Sequence, residues 1–300
     1  MKSTTWWRLA LALLALVASA PAVRAQSMTM STLEKIREYG AIYIGHREAS
    51  IPFSYMVGDE VVGYSKDLCD RIVEAVKTEL DDPRLKVVMV PLTSANRLLM
   101  LMTGVIDLEC GSTTNTKIRQ QLVRFSPTIF VSGVKALVRK DSGIERIGDM
   151  NGKVVVTTAG TTTDRIVKTV FAARNFSARD KRARTHLESL SMVVSRQADA
   201  FVLDDALLSG FLANSSDADK LKLLEENFGF EPYGIGLRKD DPEFEKLVDA
   251  TLIGMMKSGE VEKIYTKWFM SPIPPKNINL QIPMSDMLRD LLRNPSEEGN

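Results

Sequence analysis

The sequence predicts an α/β protein of two units, and three observations support this. Apolar strand-like runs alternate with segments whose apolar residues follow helical spacing, as over 66–80. A chain of 300 residues is long enough for about two domains. After the turn at 141–143 the alternation begins again, with a strand predicted at 153–156 and a helix at 164–174. We therefore expect parallel sheets with helices packed against them.

The elements of the first unit follow one another in a regular order. They are a helix at 31–40, a strand at 41–45, a hairpin over 52–64, a helix at 66–80, a strand at 86–90, a helix at 95–103 and a strand at 104–110. Gly40 ends the first helix, and Ser65 and Ser94 are predicted to cap the next two. An extended segment at 128–138 then leaves this unit.

The second unit continues the alternation and ends in a tail. After its first strand and helix come a helix that begins near 189, a strand at 199–203, a returning strand at 233–238, and helices at 242–258 and 261–268. The proline-rich residues 271–275 end the last helix, because proline lacks the amide hydrogen that a helix needs. Residues 276–300 are predicted to form a tail with one short amphipathic turn around 284–292.

The N-terminus has the pattern of a secretory signal. Lys2 and Arg8 precede an apolar run over 9–20, and small residues flank Arg24. We predict that residues 1–25 form a signal peptide that is cut before Gln26. The alternative is an uncleaved membrane segment, although the run is short for spanning a bilayer.

The charge balance disfavours several classes of partner. The chain has 39 Lys and Arg against 38 Asp and Glu, and residues 1–25 hold three of the basic residues and no acidic one. The remainder therefore carries a formal charge of −2, with 36 basic residues against 38 acidic ones. A mildly acidic protein is a poor partner for nucleic acid or anionic membranes. The sequence also has no Cys/His cluster with metal-ligand spacing.

Small hydroxyl residues and an arginine follow three strands of the first unit. Arg47 follows the first strand, Ser94 and Arg97 follow the next, and Arg119 comes after the Gly-Ser-Thr-Thr tetrad at 111–114. The carboxyl ends of parallel strands meet at one edge of a sheet, where ligands commonly bind. Arginine suits a carboxylate or phosphate there. The alternative is a set of capped helices with solvated arginines.

The second unit offers two further polar strand ends. A Gly-Thr-Thr-Thr loop that contains Thr161 and Thr162 joins a strand to a helix, and its amides and hydroxyls suit an anion. It lacks the Gly-Lys-Ser/Thr ending of a nucleotide-binding loop, which disfavours ATP. Another strand ends in Asp204 and Asp205, where a carboxylate suits an ammonium group. Asp205 is equally suited to cap the following helix.

The chain has two cysteines, Cys69 on a predicted helix and Cys110 at a predicted strand end. Export would place them in an oxidising compartment, where a disulfide between them is favoured. Two separately buried thiols are the alternative.

Motifs spread over residues 30–280 resemble those of the periplasmic solute-binding proteins of amino-acid ABC transporters (family 3). Examples are Gly-His-Arg-Glu at 45–48, Glu-Cys-Gly-Ser-Thr-Thr-Asn at 109–115 and Pro-Ile-Pro-Pro-Lys-Asn at 272–277. The last two are similar to the glutamate/aspartate-binding branch. The resemblance implies the two-lobe type II periplasmic-binding-protein fold, with a ligand cleft between the lobes and two hinge crossings. It also implies a periplasmic monomer that delivers L-glutamate or L-aspartate to an inner-membrane ABC permease.

The same resemblance implies the lobe boundaries and the ligand-binding residues. Lobe 1 would comprise 30–131 plus 233–280, lobe 2 would comprise 135–230, and 281–300 would remain as a C-terminal tail. The α-carboxylate would be held by Ser112, Thr114, Arg119 and Thr162, the α-ammonium by Asp204, and the side-chain carboxylate by Arg47, Ser94, Arg97 and His186 with Thr161 beside it. Three arginines and one aspartate then match two carboxylates and one ammonium. A surface position is the alternative for His186, because the sequence around it diverges.

No catalytic residue and no cofactor are expected. An enzyme on this scaffold, such as a cyclohexadienyl-dehydratase-like protein, would need a general acid or base beside its substrate. The residues expected in the cleft are arginines and hydroxyls, and only His46 and Glu48 are left for such a role. A sensor input module is disfavoured because the chain ends in a short polar tail.

Overall fold

The structure is a computed structural model that describes residues 30–177 and 179–299. The predicted signal peptide, residues 1–25, lies outside the described residues. The first elements are α1 (Thr32–Tyr39), β1 (Ala41–Arg47), β2 (Ala49–Ser50), β3 (Ser54–Val57), β4 (Glu60–Val62), α2 (Tyr64–Leu80), β5 (Lys86–Leu92), α3 (Arg97–Met102), β6 (Leu108–Glu109) and β7 (Arg124–Phe125). The predicted alternation of helices and strands is confirmed, although β6 is shorter than the strand predicted at 104–110.

The remaining elements continue the alternation to the C-terminus. They are β8 (Phe130–Arg139), β9 (Val154–Thr158), α4 (Thr163–Ala173), β10 (Arg179–Ala183), α5 (His186–Val194), β11 (Ala200–Asp204), α6 (Asp205–Asn214), β12 (Leu221–Leu223), β13 (Gly229–Tyr233), β14 (Gly236–Leu237), α7 (Pro242–Lys257), α8 (Glu260–Phe269), β15 (Pro272–Ile273), β16 (Ile278–Asn279) and α9 (Asp286–Arg293). The single returning strand predicted at 233–238 is wrong, since two strands, β13 and β14, cover this region.

Two sheets, one for each lobe, form the framework. The first has the order β5-β1-β6-β14-β7, and β1 is parallel to both β5 and β6. The second has the order β10-β9-β11-β8-β12, with β13 also paired to β8, and β9 is parallel to both β10 and β11. The carboxyl ends of β1, β5 and β6 therefore share one edge, as do those of β9, β10 and β11.

The chain passes from the first sheet to the second between β7 and β8, and back between β13 and β14. The strands β8 and β13 are antiparallel neighbours, with Val131 opposite Pro232. Two crossings at one place are the geometry of a hinge. The exact lobe boundaries, 30–131 plus 233–280 and 135–230, stay a prediction.

Aromatic residues pack the two crossings against the first lobe. Phe53 lies with its ring centroid 4.8 Å from that of Phe130 on β8 and 5.1 Å from that of Tyr233 on β13. Phe269 stacks on Phe130 at 4.9 Å. All four side chains are buried. Such pairs contribute about 0.5–1.5 kcal/mol each beyond their buried area, so this cluster fixes the position of the crossings.

The helix caps predicted at Ser65 and Ser94 are wrong. The helix α2 already begins at Tyr64, and the Ser65 hydroxyl donates to the carbonyl oxygen of Gly111 at 2.7 Å. The helix α3 begins three residues after Ser94, whose hydroxyl oxygen accepts a hydrogen bond from Arg47. Both hydroxyls therefore bond across the fold, because a strand end lies opposite each of them.

The disulfide between Cys69 and Cys110 is confirmed. It joins α2 to the residue after β6, with the two Cα atoms 6.2 Å apart. The backbone amide of Cys110 also donates to the carbonyl oxygen of Gly45 on β1, at 2.9 Å. The bridge thus secures the segment that leads directly into Ser112 and Thr114.

The C-terminal tail packs on the first lobe. Its predicted amphipathic turn is the helix α9, which buries Leu288 and Leu292. Beyond it, the carbonyl oxygen of Ser296 accepts from the backbone amide of Thr128, at 2.9 Å, just before the first crossing. No helix within residues 30–177 and 179–299 is long and apolar enough to span a membrane.

Candidate functional site

Three arginines lie at the sheet edge where β1, β5 and β6 end, as predicted. Arg47 is the last residue of β1, Arg97 begins α3, and Arg119 lies in a single 3-10 turn. They are 6%, 3% and 7% exposed, so the alternative of solvated arginines is wrong. Burial, followed by the charge of Arg97, lowers the pKa of Arg47 to about 10 and that of Arg119 to about 9. Both remain cationic at neutral pH, and buried cations of this kind favour an anionic partner.

Arg47, Ser94 and His186 form one cluster. Arg47 Nη2 donates to Ser94 Oγ at 2.8 Å and lies 3.4 Å from His186 Nε2. His186 Nδ1 lies 2.9 Å from Thr158 Oγ1. Burial, followed by the charges of Arg47 and Arg97, lowers the pKa of His186 well below its usual value, so its imidazole is neutral. His186 is 5% exposed, and its surface alternative is wrong.

Arg97 is held by the tetrad after β6. Its Nη1 donates to Thr113 Oγ1 at 2.7 Å and to the carbonyl oxygen of Ser112 at 3.1 Å. Arg97 Nε has no hydrogen-bond partner within the described residues, and neither do Arg47 Nη1 and Ser112 Oγ, which are also buried. Buried polar groups are normally paired, so these donors suit an anion placed among them.

Arg119 joins the two lobes. Its Nη1 donates to the carbonyl oxygen of Thr114 at 2.8 Å, and its Nη2 donates to the carbonyl oxygen of Gly160, in the second lobe, at 3.1 Å. Together with the contact between Arg47 and His186, these bonds close the cleft over the polar strand ends. The cleft is therefore in a closed arrangement.

The two threonines predicted in the loop after β9 differ in their contacts. Thr161 Oγ1 donates to the carbonyl oxygen of Thr158 at 2.6 Å and lies 2.7 Å from Thr163 Oγ1. Its hydroxyl is thus occupied within its own loop. Thr162 precedes α4 without making a side-chain cap, and its hydroxyl oxygen lies 3.4 Å from that of Thr114. Thr162 is therefore the one of the two that faces the first lobe.

Asp204 and Asp205 point to different places at the end of β11. Asp204 is 5% exposed, accepts a hydrogen bond from the Tyr233 hydroxyl through Oδ2, and has no partner for Oδ1 within the described residues. Asp205 Oδ1 instead accepts from the Ser132 hydroxyl at 2.8 Å and the Gly133 amide at 3.1 Å. The cap suggested for Asp205 is therefore wrong. Asp204 faces the cleft.

Glu231 is a buried carboxylate of the cleft that sequence reasoning missed. It is 2% exposed on β13, and its Oε2 accepts from the Thr114 hydroxyl at 2.7 Å. Burial, followed by the charge of Glu231, raises the pKa of Asp204 well above its usual value. The returning strand predicted from the sequence begins at Tyr233 and does not include Glu231.

Glu109 is a second missed carboxylate. It is fully buried, and its two oxygens have no hydrogen-bond partner within the described residues. A Cβ atom on Gly111 would stand 2.4 Å from Glu109 Oε1 and 3.0 Å from Arg47 Cγ, so a larger residue there would displace the Glu109 carboxylate. The charge of Glu109 raises the pKa of Arg47 and Arg119 against the effect of burial. The predicted count of three arginines to one aspartate therefore omits two carboxylates, Glu109 and Glu231.

The two spare groups considered for catalysis flank Arg47 at the end of β1 and line different cavities. His46 Nδ1 is 3.1 Å from the carbonyl oxygen of Arg47, and His46 lines a different cavity with Lys77 and Met89. Glu48 is exposed and lines a small opening of about 80 Å³ at the edge of the cleft, with Leu92 and Leu187. Arg47, Ser94 and His186 line the same opening, so Glu48 lies at the rim of the site with its side chain exposed.

Comparison with known proteins gives a consistent family match. Residues 42–271 match the model of the bacterial extracellular solute-binding proteins, family 3. The glutamate/aspartate import solute-binding protein of Escherichia coli (strain K12) is 42% identical over 96% of this chain and 97% of its own length. The L-glutamate/L-aspartate-binding protein of Pseudomonas aeruginosa is 44% identical over 97% of this chain and 96% of its own length.

Solved structures agree with this match. An ancestral arginine-binding protein bound to arginine is 30% identical with a TM-score of 0.67, over 77% of this chain and 98% of its own. The ancestral amino acid-binding protein AncCDT-1, described as a precursor of cyclohexadienyl dehydratase, is 28% identical with a TM-score of 0.68, over 79% of this chain and 99% of its own.

Proposed function

Because the chain belongs to family 3 of the bacterial extracellular solute-binding proteins, we propose that it captures L-glutamate, L-aspartate or both in the periplasm and delivers them to an inner-membrane ABC permease. The observation that carries this proposal is a closed cleft with three buried arginines and the buried Asp204, in which Arg47 Nη1, Arg97 Nε and Asp204 Oδ1 have no hydrogen-bond partner within the described residues, although Glu109 and Glu231 are buried there too. A dicarboxylic amino acid brings two anionic groups and one cationic group, and buried charges are tolerable only when they are paired.

The proposed roles follow the residues that face the cleft. Ser112, Thr114, Arg119 and Thr162 would hold the α-carboxylate, Asp204 the α-ammonium, and Arg47, Ser94, Arg97 and His186 the side-chain carboxylate. The unpaired atoms Arg47 Nη1, Ser112 Oγ and Asp204 Oδ1 support this division, because each would gain a partner of the right charge. Thr161 would shape its loop, since its hydroxyl already has two partners.

Capture would proceed by closure of the two lobes. The contacts of Arg119 with Gly160 and of Arg47 with His186 cross the cleft and would break on opening. The crossings at β8 and β13 supply the hinge. A ligand that binds both lobes stabilises the closed state by its difference in affinity for the two states.

A signal peptide at residues 1–25, cut before Gln26, would bring the protein to the periplasm, where we propose that it acts as a monomer. We propose no enzymatic activity. The likeness to AncCDT-1 makes a dehydratase the relevant competing function. Incubation with prephenate or arogenate should give no turnover, and product formation would favour the enzyme.

The test is calorimetry of residues 26–300 after unfolding and refolding to remove bound ligand. Titration with each of the twenty amino acids should give one site for glutamate, aspartate or both, with glutamine and asparagine much weaker. Small-angle scattering should show a smaller radius of gyration with the ligand that binds. If another amino acid binds and neither acidic one does, the proposed ligand is wrong.

A further inference from the structure

The corner of the cleft around Asp204 holds two carboxylates, although one ammonium group needs only one. Glu231 lies on the crossing strand β13 and is bound to Thr114 of the first lobe. Asp204 lies at the end of β11 in the second lobe, and Tyr233, two residues beyond Glu231, donates to it. The hinge strand therefore contacts both lobes through adjacent side chains.

The groups that face Asp204 from each neighbouring element are few. Glu231 and Tyr233 come from β13, Asp205 follows at the start of α6, and the charges of Arg47 and Arg119 reach it from the first sheet. The two arginines favour the carboxylate form, and Glu231 and Asp205 oppose it. Burial and the Glu231 charge raise the pKa of Asp204, and the hydrogen bond from Tyr233 opposes them.

We propose that Glu231 is a positioning residue that couples ligand capture to a proton. In the closed cleft without ligand the Asp204 carboxyl holds a proton beside Glu231, and the α-ammonium of the ligand displaces that proton to solvent. This inference rests on the proposed function, because it assumes an amino acid whose ammonium group meets Asp204. Glu231 acts through Asp204 and need not touch the ligand.

The physical reason is that two buried carboxylates next to each other do not both ionise easily. Burial and the neighbouring Glu231 charge raise the pKa of Asp204 well above its usual value, so the pair retains a proton at a pH where an exposed aspartate has none. An ammonium group needs the carboxylate form of Asp204. Binding therefore converts the Asp204 carboxyl to a carboxylate that pairs with the ammonium, and one proton goes to the buffer.

The consequence is an affinity that rises with pH. At a pH below the raised pKa, release of one proton makes the dissociation constant fall about tenfold for each pH unit gained. Above that pKa the affinity becomes independent of pH. A carrier of this kind would hold its ligand less tightly in an acidified compartment.

The experiment is calorimetry of glutamate and aspartate binding between pH 5 and pH 8, in buffers of different ionisation enthalpy. The dependence of the measured heat on the buffer gives the number of protons released. Glu231→Gln keeps an oxygen that can accept from Thr114 but removes the charge. We expect the variant to release fewer protons than the wild type, and its affinity to decline only at lower pH. The difference between the two proteins is used because proton exchange at all other groups is common to both and cancels.

Asp205→Asn is the matched control. It removes another carboxylate next to Asp204, but one that is bound to Ser132 and Gly133, so the proton count should change less than in Glu231→Gln. Equal proton release by the wild type and Glu231→Gln at every pH would overturn the inference. Failure of both acidic amino acids to bind would instead overturn the proposed ligand.

A measurement without ligand tests the proton inference separately from the proposed ligand. The free energy of unfolding of the wild type should fall more steeply with rising pH than that of Glu231→Gln, because the folded pair holds a proton that the unfolded chain releases. If the free energies of unfolding of the two proteins changed in parallel with pH, the proton held by Asp204 would be contradicted. This outcome does not depend on the identity of the ligand.

Discussion

A Cβ atom on Gly160 would lie 2.6 Å from the Cα of Ala95 and 2.6 Å from the carbonyl oxygen of Ser94. Gly160 belongs to the second lobe and Ala95 to the first, so their backbones touch across the closed cleft. Real Cβ atoms essentially never approach backbone atoms this closely. The closed arrangement therefore requires glycine at this position.

We predict that Gly160→Ala weakens ligand binding by at least about tenfold, or about 1.4 kcal/mol, because it blocks closure. The matched control is Gly143→Ala. Both glycines have positive φ, at 79° and 72°, but an added Cβ on Gly143 meets nothing within 4 Å. Both variants should lose about 1 kcal/mol of stability from the strained backbone, and only Gly160→Ala should lose affinity. Equal affinities in calorimetry would contradict the close approach as a condition of binding.

A second prediction concerns selectivity for the acidic side chain. Arg97→Met should weaken glutamate binding by about 2–4 kcal/mol, or roughly 30- to 1000-fold, because the side-chain carboxylate loses a buried partner. Arg47 would retain part of the interaction. Glutamine should lose less, so the discrimination between glutamate and glutamine should shrink.

Arg119→Met is the control for that comparison. Arg119 is assigned to the α-carboxylate, which glutamate and glutamine share, so both ligands should weaken by about the same factor. Calorimetry of both variants with both ligands decides the matter. If Arg97→Met weakened the two ligands equally, the assignment of Arg97 to the side-chain carboxylate would be wrong.

The third prediction is that the disulfide stabilises the first lobe. Its cysteines are 41 positions apart, and closing a loop of that length contributes about 3–4 kcal/mol in the chain-entropy model. The Cys69→Ala/Cys110→Ala double variant should therefore unfold at lower denaturant concentration. The wild type treated with reductant should approach the double variant, and reductant should leave the double variant unchanged. Coincident unfolding curves for the oxidised wild type and the double variant would refute the prediction.

The fourth prediction concerns Asp249 on α7, which lies close to Glu245 and Glu297. Burial, followed by Glu297, raises the pKa of Asp249 from 3.8 to about 7. The folded protein then holds a proton that the unfolded chain releases, so stability falls as the pH rises between these two values and levels off above them. Asp249→Asn removes this titrating carboxyl group. As the pH rises across that range, the stability of the variant relative to the wild type should increase by about 1 kcal/mol, after allowance for solvent screening.

Unfolding by denaturant at pH 4 to pH 8 provides the measurement. Arg124, which pairs with Glu245 at 2.7 Å and also with Glu297, is unchanged in this variant, so the ion pairs that hold the tail are retained. A constant difference in stability between the two proteins at every pH would show that Asp249 titrates as an ordinary exposed aspartate.

The sequence by itself determined the alternation of strands and helices and the arginines that lie at or after the ends of three strands. Those features are local or periodic: an apolar spacing predicts a helix wherever its partner lies, and Arg47 ends β1 whatever faces it. The pairing of Cys69 with Cys110 was also accessible, because an oxidising compartment and two cysteines allow one bridge.

Only the tertiary structure decided which polar groups meet. Ser94 bonds to Arg47 instead of capping a helix, Asp205 bonds to Ser132, and Glu231 joins the cleft from a returning strand. A hydroxyl or carboxylate can pair equally well with its own backbone or with a distant group. What lies opposite is set by sheet order and hinge geometry, and a single sequence carries no local signal for either.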